Sequence, residues 1–201
     1  MDDAIAIRLA TDADCVAVLP ALMRQTFSET FGHMYTPADL EDFLSATYNP
    51  AVLRSAMTDP RVKTWLVEDT SSGAVVAYAQ AGPCSLPHAE ASKDHFELWR
   101  IYVLQSHHRR GIGTRLMDIA LAWADAPEAS FSGPLWVGVY SENPRAQALY
   151  FRYGFTKAGE YEFEVGGARD REFIFRRERC GCDDVSARAA EQGSARQPSR
   201  P

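Results

Sequence analysis

Apolar and polar residues alternate along most of the chain, and the period of the alternation switches between strand-like and helix-like several times. Short runs rich in β-branched and aromatic residues predict strands. These runs are residues 5–9, 63–68, 74–81, 96–103, 135–139, 158–165 and 171–177. Ser71-Ser72-Gly73 and Gly166-Gly167 lie between neighbouring runs and predict hairpin turns.

Four other segments have the apolar spacing or the end signals of helices. They are a segment from about 12–14 to 31, then 38–48, 112–123 and 144–153. Asp12 or Asp14 can cap the first helix, and Asn143 can cap the last, which has Pro144 at its first position and Gly154 after its end. The order β-α-α-β-β-β-α-β-α-β-β predicts a mixed α/β (α+β) fold with a mainly antiparallel sheet, not a doubly wound one.

Length and composition predict one globular domain. Of 201 residues, 46% are hydrophobic and 24% charged, which is ordinary for a folded domain of this size. We expect the domain to span residues 3–179. Residues 180–201 are poor in large apolar side chains and rich in Ala, Ser, Gly, Arg and Pro, so this tail is predicted to be disordered.

Charge and cysteine content exclude several classes of function. The net charge of -6 gives no basic field for nucleic acid. The charged first stretch is not a signal peptide and no run is long enough to cross a bilayer, so a cytoplasmic protein without membrane contact is expected. The four cysteines are too few for a disulfide framework, and neither Cys180 and Cys182 nor the five histidines show metal-ligand spacing, so no metal is expected.

The densest chemical signal lies at residues 104–114, where a strand ends, two glycines follow and a helix begins. The first N–H groups of a helix have no internal partner, and the helix dipole adds partial positive charge, so this turn suits a pyrophosphate. Arg109, Arg110 and Arg115 add fixed charge. A Rossmann turn would need glycine in place of Leu116, and a P-loop would need Gly-Lys-Ser/Thr. A helix start with exposed arginines is the simpler alternative.

The segment His108-Arg109-Arg110-Gly111-Ile112-Gly113 resembles the Gln/Arg-x-x-Gly-x-Gly/Ala signature of the GNAT superfamily of N-acetyltransferases, with His108 in the Gln/Arg position. A second segment resembles the family's Asn-x-x-Ala, aromatic and Gly-Phe elements: Asn143, Ala146, Tyr150, Gly154 and Phe155. The likeness covers roughly residues 5–177. It implies a GNAT-like acyl-CoA N-acyltransferase fold and acetyl-CoA as co-substrate.

The resemblance also implies which residues bind CoA. They are Ile101, Tyr102, Val103, His108, Arg109, Arg110, Gly111, Ile112, Gly113, Thr114, Asn143 and Tyr150. In the family, the strand that carries residues 101–103 diverges from its neighbour, which leaves backbone N–H groups for the thioester oxygen and the pantetheine arm.

Acetyl transfer to an amine needs a base for the ammonium, donors for the carbonyl oxygen and an acid for the leaving thiolate. Glu97 holds the position of a catalytic glutamate in several GNAT enzymes and is the candidate base. The alternative is a solvated strand glutamate, paired with Arg100 or Lys63. Tyr150 holds the family's aromatic position and is the candidate acid, with a packed core tyrosine as the alternative.

The acceptor is predicted from a closer likeness and from charge. Residues 27–31, 97–103 and 135–139 look like the bacterial branch that acetylates spermidine and related polyamines. Four acidic residues of the first two helices would attract a polycation, although an ordinary acidic surface explains them equally: Glu29, Asp39, Glu41 and Asp42. We therefore expect direct acetyl transfer in a ternary complex to a small-molecule amine, first of all a polyamine.

Two alternatives stay open at this point. One is acetylation of a protein N-terminus or a lysine. The other is a regulator that binds CoA without turnover. A homodimer is a further option for this chain.

Overall fold

The computed structural model describes residues 5–179. The predicted tail at 180–201, with Cys180 and Cys182, lies outside the described residues. Between residues 5 and 179 the chain forms seven strands: β1 Ile5–Leu9, β2 Lys63–Asp69, β3 Ala74–Pro83, β4 Phe96–Val103, β5 Leu135–Tyr140, β6 Thr156–Val165 and β7 Ala168–Arg177. The same residues form six α-helices: α1 Asp14–Ala17, α2 Leu19–Phe31, α3 Pro37–Thr47, α4 Pro50–Met57, α5 Ile112–Asp125 and α6 Pro144–Arg152.

All seven predicted strands are confirmed, but the predicted first helix is divided into α1 and α2 at Val18. Pro20 lies in the first turn of α2, where its missing N–H and its ring prevent continuation from the preceding turn. The prediction that Asp12 or Asp14 caps this segment is wrong, because Ala13 is the capping residue. The carboxylate of Asp14 instead accepts a 2.7 Å hydrogen bond from the N–H of Thr11.

Helix α4 was not predicted, although its start has the same signal as that of α6. Asn49 accepts a hydrogen bond from the N–H of Val52 (3.0 Å), and Pro50 occupies the first helical position. None of the described helices is long and apolar enough to cross a membrane.

The strands form one sheet in the order β1-β2-β3-β4-β5-β7-β6, in which only β4 and β5 run parallel among the described strands. The predicted mainly antiparallel α+β fold is confirmed. Successive residues of β2 point to opposite faces of the sheet. Val67 belongs to the core cluster that includes residues of α5, and Leu66 to the cluster that includes residues of α1 to α4. The sheet therefore has a helical layer on each face.

Strands β4 and β5 diverge after three residue pairs. Pairing runs from Phe96 with Leu135 to Leu98 with Val137, while β4 continues to Val103 paired with β3 alone. Gln80 and Ala81 of β3 pair with Arg100 and Leu98, so Trp99 is an extra residue in β4. Such a bulge bends a strand. The divergence that the resemblance implied is present, and it opens the middle of the sheet.

Candidate active site

The turn between β4 and α5 presents backbone N–H groups to an open cavity. Gly111 caps α5 with a φ of 73°, and Arg109 is also left-handed at 66°. Left-handed residues in a turn can bring successive N–H groups together into a concavity that binds anions. A Cβ atom at Gly111 or Gly113 would meet no atom within 4 Å, so a ligand can approach the backbone closely here. The turn therefore leaves backbone N–H groups accessible to a ligand, and the pyrophosphate site stays a prediction.

His108 is held by two hydrogen bonds rather than projecting freely. Its Nδ1 lies 2.8 Å from Nη1 of Arg145, and its Nε2 lies 2.8 Å from the carbonyl oxygen of Val103. Because a guanidinium only donates, Nδ1 accepts, and Nε2 carries the proton that is donated to Val103. His108 therefore links β4 to α6, and Arg145 is the side chain that it positions.

The cavity beside this turn, which we call the glycine-turn cavity, has a volume of about 680 Å³. All of the predicted cofactor residues except Arg110 line it: Ile101, Tyr102, Val103, His108, Arg109, Gly111, Ile112, Gly113, Thr114, Asn143 and Tyr150. Arg110 is exposed and does not line the cavity, so its predicted contact is not supported by the geometry. Arg145 and Arg152 line it and were not predicted. Both are exposed α6 residues that the Asn-x-x-Ala pattern does not specify.

A second cavity, which we call the aromatic cavity, has a volume of about 610 Å³ on the sheet face covered by α2, α3 and α4. Phe27, Phe31, Tyr48 and Trp99 are among its aromatic walls. It shares five lining residues with the glycine-turn cavity: Ile101, Tyr102, Asn143, Ala146 and Tyr150. The two cavities therefore meet where β4 leaves β5, and we call this place the junction.

Glu97 lies in the aromatic cavity at the last paired part of β4. Its side chain is buried, and Oε2 accepts hydrogen bonds from the N–H (2.7 Å) and the hydroxyl (3.2 Å) of Ser85. Burial raises the pKa of Glu97 above its usual 4.5. The alternative of an ion-paired surface glutamate is wrong. Arg100 donates to Gln80 instead (2.7 Å), and the ammonium of Lys63 lies 5.0 Å from the ring centre of Trp123.

Two further carboxylates, from β7, line the aromatic cavity. Oε2 of Glu172 accepts a 2.8 Å hydrogen bond from the hydroxyl of Tyr161, and Asp170 accepts one from the hydroxyl of Tyr35. Burial raises the pKa of Glu172, and the negative charges of Asp170 and Glu97 raise it further. The cavity is therefore acidic on this side.

Gly138 makes room for Glu172 and for its hydrogen-bond partner Tyr161. A Cβ atom there would lie 3.0 Å from the hydroxyl oxygen of Tyr161 and 3.2 Å from Oε2 of Glu172. These side chains therefore lie directly over the backbone of β5, beside the junction.

The predicted acidic lining of the first helices is wrong in its position. Asp39, Glu41 and Asp42 line neither cavity. Glu41 instead pairs with Arg24 at 2.7 Å on the surface. Glu29 lies at the glycine-turn cavity, where its carboxylate accepts a hydrogen bond from the N–H of Gln105 (2.9 Å). The period-2 pattern Asp170, Glu172 on β7 is the sequence signal that would have identified the carboxylates found here.

Tyr150 is buried at the junction, and its ring packs edge-on against Phe155 and Phe175. Burial raises the pKa of its hydroxyl further above neutral pH, so the group is a hydrogen-bond donor that gives up its proton less readily than an ordinary tyrosine. The side chain is thus both a packed core tyrosine and part of both cavities. Asn143 also has two roles. It caps α6 by accepting a hydrogen bond from the N–H of Ala146 (3.0 Å), and it lines both cavities.

This arrangement can move an acyl group between two bound molecules. A buried carboxylate with a raised pKa lies on the aromatic side of the junction, where it can accept a proton. A protonated phenol and the β4 edge that has no partner strand are at the junction, where hydrogen-bond donors can stabilise developing negative charge.

Comparison with known proteins identifies a family. The acetyltransferase (GNAT) family model matches residues 21–155. An uncharacterized N-acetyltransferase of Lactobacillus delbrueckii subsp. lactis is 27% identical over 157 residues, which are 78% of this chain and 88% of that protein.

Two solved structures show the same fold. PaiA N-acetyltransferase from Thermoplasma acidophilum, in complex with coenzyme A, matches with a TM-score of 0.64 and 14% identity over 87% of this chain and 99% of its own. Ribosomal-protein-alanine N-acetyltransferase from Brucella melitensis matches with a TM-score of 0.63 and 24% identity over 87% and 99%.

Proposed function

Since the chain belongs to the acetyltransferase (GNAT) family and is an acetyl-CoA-dependent N-acetyltransferase, we propose that it acetylates the primary amine of a small molecule by direct transfer in a ternary complex. The observation that supports this best is the junction of two cavities of similar size. One has an anion-binding turn, the other has carboxylates and aromatic rings, and Tyr150 belongs to both. Two substrates can therefore meet without a covalent enzyme intermediate.

Acetyl-CoA fits the glycine-turn cavity. The N–H groups at residues 111–114 and the charges of Arg109 and Arg145 suit its pyrophosphate. The edge of β4 at residues 101–103 is free of β5 and can pair with the amide groups of the pantetheine arm. Coenzyme A in the Thermoplasma protein of the same fold supports this assignment.

The chemistry begins with the acceptor, since a primary amine with a pKa of about 10 enters as an ammonium ion. Glu97 takes a proton from it, directly or through a water molecule, and its raised pKa makes it a stronger base than an ordinary carboxylate. The amine lone pair then attacks the thioester carbon and a C–N bond forms. Backbone N–H groups at residues 101–103 stabilise the negative carbonyl oxygen.

The intermediate collapses when the C–S bond breaks and its electron pair goes to sulfur. Tyr150 at the junction first donates a hydrogen bond to the departing sulfur. It then transfers its hydroxyl proton to the thiolate, which yields free CoA. The phenolate that this leaves takes the second proton of the attacking nitrogen, which must lose it to become an amide, and the proton held by Glu97 passes to solvent. The net products are an amide, CoA and one proton.

The chemical class of the acceptor is the finer part of the proposal. Glu97, Asp170 and Glu172 favour a cationic group in the aromatic cavity, as do its aromatic faces. The polyamine predicted from the sequence has such groups, as does every other primary amine, so the polyamine assignment stays a prediction.

The test is a free-thiol release assay with acetyl-CoA and a panel of spermidine, spermine, amino acids and short peptides. We expect thiol release that depends on both substrates and is fastest with a small amine. Faster release with peptides than with any small amine would indicate a peptide acetyltransferase. Binding of acetyl-CoA in calorimetry without thiol release from any member of the panel would indicate a CoA-binding regulator.

A further inference from the structure

Arg100 places a positive charge in a cavity whose other charged groups are acidic. It lies half-buried in the wall of the aromatic cavity on β4. Its Nη1 donates to Oε1 of Gln80 (2.7 Å), and its guanidinium lies 5.5 Å from the ring centre of Tyr48. Gln80 is itself fixed by a 3.0 Å hydrogen bond to Thr64. Arg100 is therefore held in place by neutral groups.

No carboxylate among residues 5–179 forms an ion pair with Arg100. The acidic side chains of the cavity are engaged elsewhere, Glu97 with Ser85 and Glu172 with Tyr161. A guanidinium has five N–H donors, and neutral partners satisfy only part of them. A half-buried guanidinium without a counter-ion attracts an anion, and its planar fork matches a carboxylate, which can accept two of its N–H bonds.

The sheet topology puts the two signs of charge on opposite sides of the opening. Arg100 is on β4, whereas Asp170 and Glu172 are on β7, beyond β5. Glu97 lies at the point where the opening starts. An acceptor in the aromatic cavity therefore has a cation on one side and anions on the other.

We propose that the acceptor is an amphoteric molecule, an amine that also carries a carboxylate, and that Arg100 binds the carboxylate while the amine is acetylated. This inference rests on the proposed function and narrows it to amino acids and related amino-carboxylates. A polyamine has no carboxylate, so it would leave Arg100 without an anion, and any ammonium group placed near the guanidinium would be repelled. The acetyl-transfer chemistry is unchanged.

The test compares pairs of acceptors that differ in the carboxylate alone: L-alanine with L-alaninamide, and L-lysine with L-lysinamide, with spermidine as a third kind of acceptor. The carboxamide has the less basic amine and therefore more free base at neutral pH, which favours it. Despite this, we expect kcat/KM for the carboxylate form to be higher by about 10- to 100-fold in at least one pair, the range of a charged hydrogen bond.

Arg100→Gln is expected to bring this ratio close to one, and Arg100→Lys to keep part of it. Arg169→Gln is the matched control, because Arg169 is an exposed arginine at the β6–β7 hairpin that pairs with Glu162 and lines neither cavity. It is expected to leave the ratio unchanged. If Arg100→Gln fails to fold, the ratio of kcat/KM between the carboxylate and carboxamide forms, measured with the unaltered protein, still tests the inference.

Three results would overturn the inference: equal rates for both members of every pair, a preference that Arg100→Gln leaves intact, or spermidine as the best acceptor. Each of them involves thiol release and therefore leaves the proposed function standing. Absence of turnover with every amine would overturn the proposed function, and this inference with it.

Discussion

At the scale of single residues, two ionisable groups have surroundings that change their acidity in the same direction: Tyr150 at the junction and Glu97 beside it in the aromatic cavity. Burial raises the pKa of both Glu97 and Tyr150. For a carboxylate this strengthens the base, and for a phenol it secures the protonated form. Burial therefore makes one of these groups a better proton acceptor and keeps the other as a hydrogen-bond donor.

Glu97→Gln is expected to lower kcat by about 100-fold, the lower range for loss of a general base. In the unaltered protein the base acts when deprotonated, so kcat falls as the pH drops through the pKa of Glu97. Because that pKa is raised, the fall begins above the usual 4.5. A pH–rate profile of kcat should lose this limb in the variant. Glu162→Gln, at an exposed glutamate, is the control, and an unchanged profile in Glu97→Gln would remove Glu97 as the base.

Tyr150→Phe is expected to reduce kcat by about 100-fold and to change the Kd of acetyl-CoA by less than about 3-fold, since the lost hydroxyl acts on the leaving sulfur and not on binding. Steady-state rates and calorimetry measure the two quantities. Tyr153→Phe, at the residue that follows the end of α6, is the matched control. Its hydroxyl bonds Asp118 and Thr114 and lines neither cavity, so equal loss in both variants would contradict the assignment.

At the scale of elements, the sequence predicts what is local. The seven strands follow from alternation, and the turn at residues 108–114 is contiguous, so its cavity-lining residues could be identified together. The break between α1 and α2 depends on Pro20 acting one turn back. Helix α4 begins with a recognisable Asn-Pro capping signal, but with 8 residues it is too short to show a clear helical spacing of apolar residues.

Gly111→Val is expected to lower acetyl-CoA affinity by at least about 100-fold, because the side chain occupies the space where the backbone meets the pyrophosphate. The left-handed backbone at this position costs a β-branched residue about 1–2 kcal/mol of folding stability. Gly73→Val isolates this cost. Gly73 has a φ of 71° and open surroundings, like Gly111, but lies in the β2–β3 hairpin. Both variants should lose similar stability in denaturant titration, and normal acetyl-CoA binding by Gly111→Val would contradict the pyrophosphate assignment.

At the scale of the whole molecule, the charged groups of the aromatic cavity come from strands far apart in sequence. Arg100 lies on β4, Asp170 and Glu172 on β7, and the sheet order separates them by one strand. No local pattern shows that β7 lies next to β5, so the sequence pointed to four acidic helix residues, of which three line neither cavity and Glu29 lines the glycine-turn cavity. Side chains that converge through topology are the part of the site that sequence reasoning did not predict.

The meeting of two cavities predicts a sequential mechanism. Initial rates at varied acetyl-CoA and amine should give intersecting double-reciprocal lines, and mass spectrometry of the enzyme with acetyl-CoA alone should show no acetyl adduct. The described cysteines support this expectation. Cys15 and Cys84 are buried, and burial raises the pKa of Cys84 to about 12, so its reactive thiolate is scarce. Parallel lines with an acetylated protein would contradict direct transfer.

The divergence of β4 from β5 has a consequence for the thermal stability of the fold. Residues 99–103 give up one side of their ladder in the centre of the sheet, where a continuous strand would normally lie. A molecule bound between the two strands would replace the backbone hydrogen bonds that are missing on this side of β4. Because such a ligand binds the folded chain and not the unfolded one, saturation with it should raise the melting temperature of the protein.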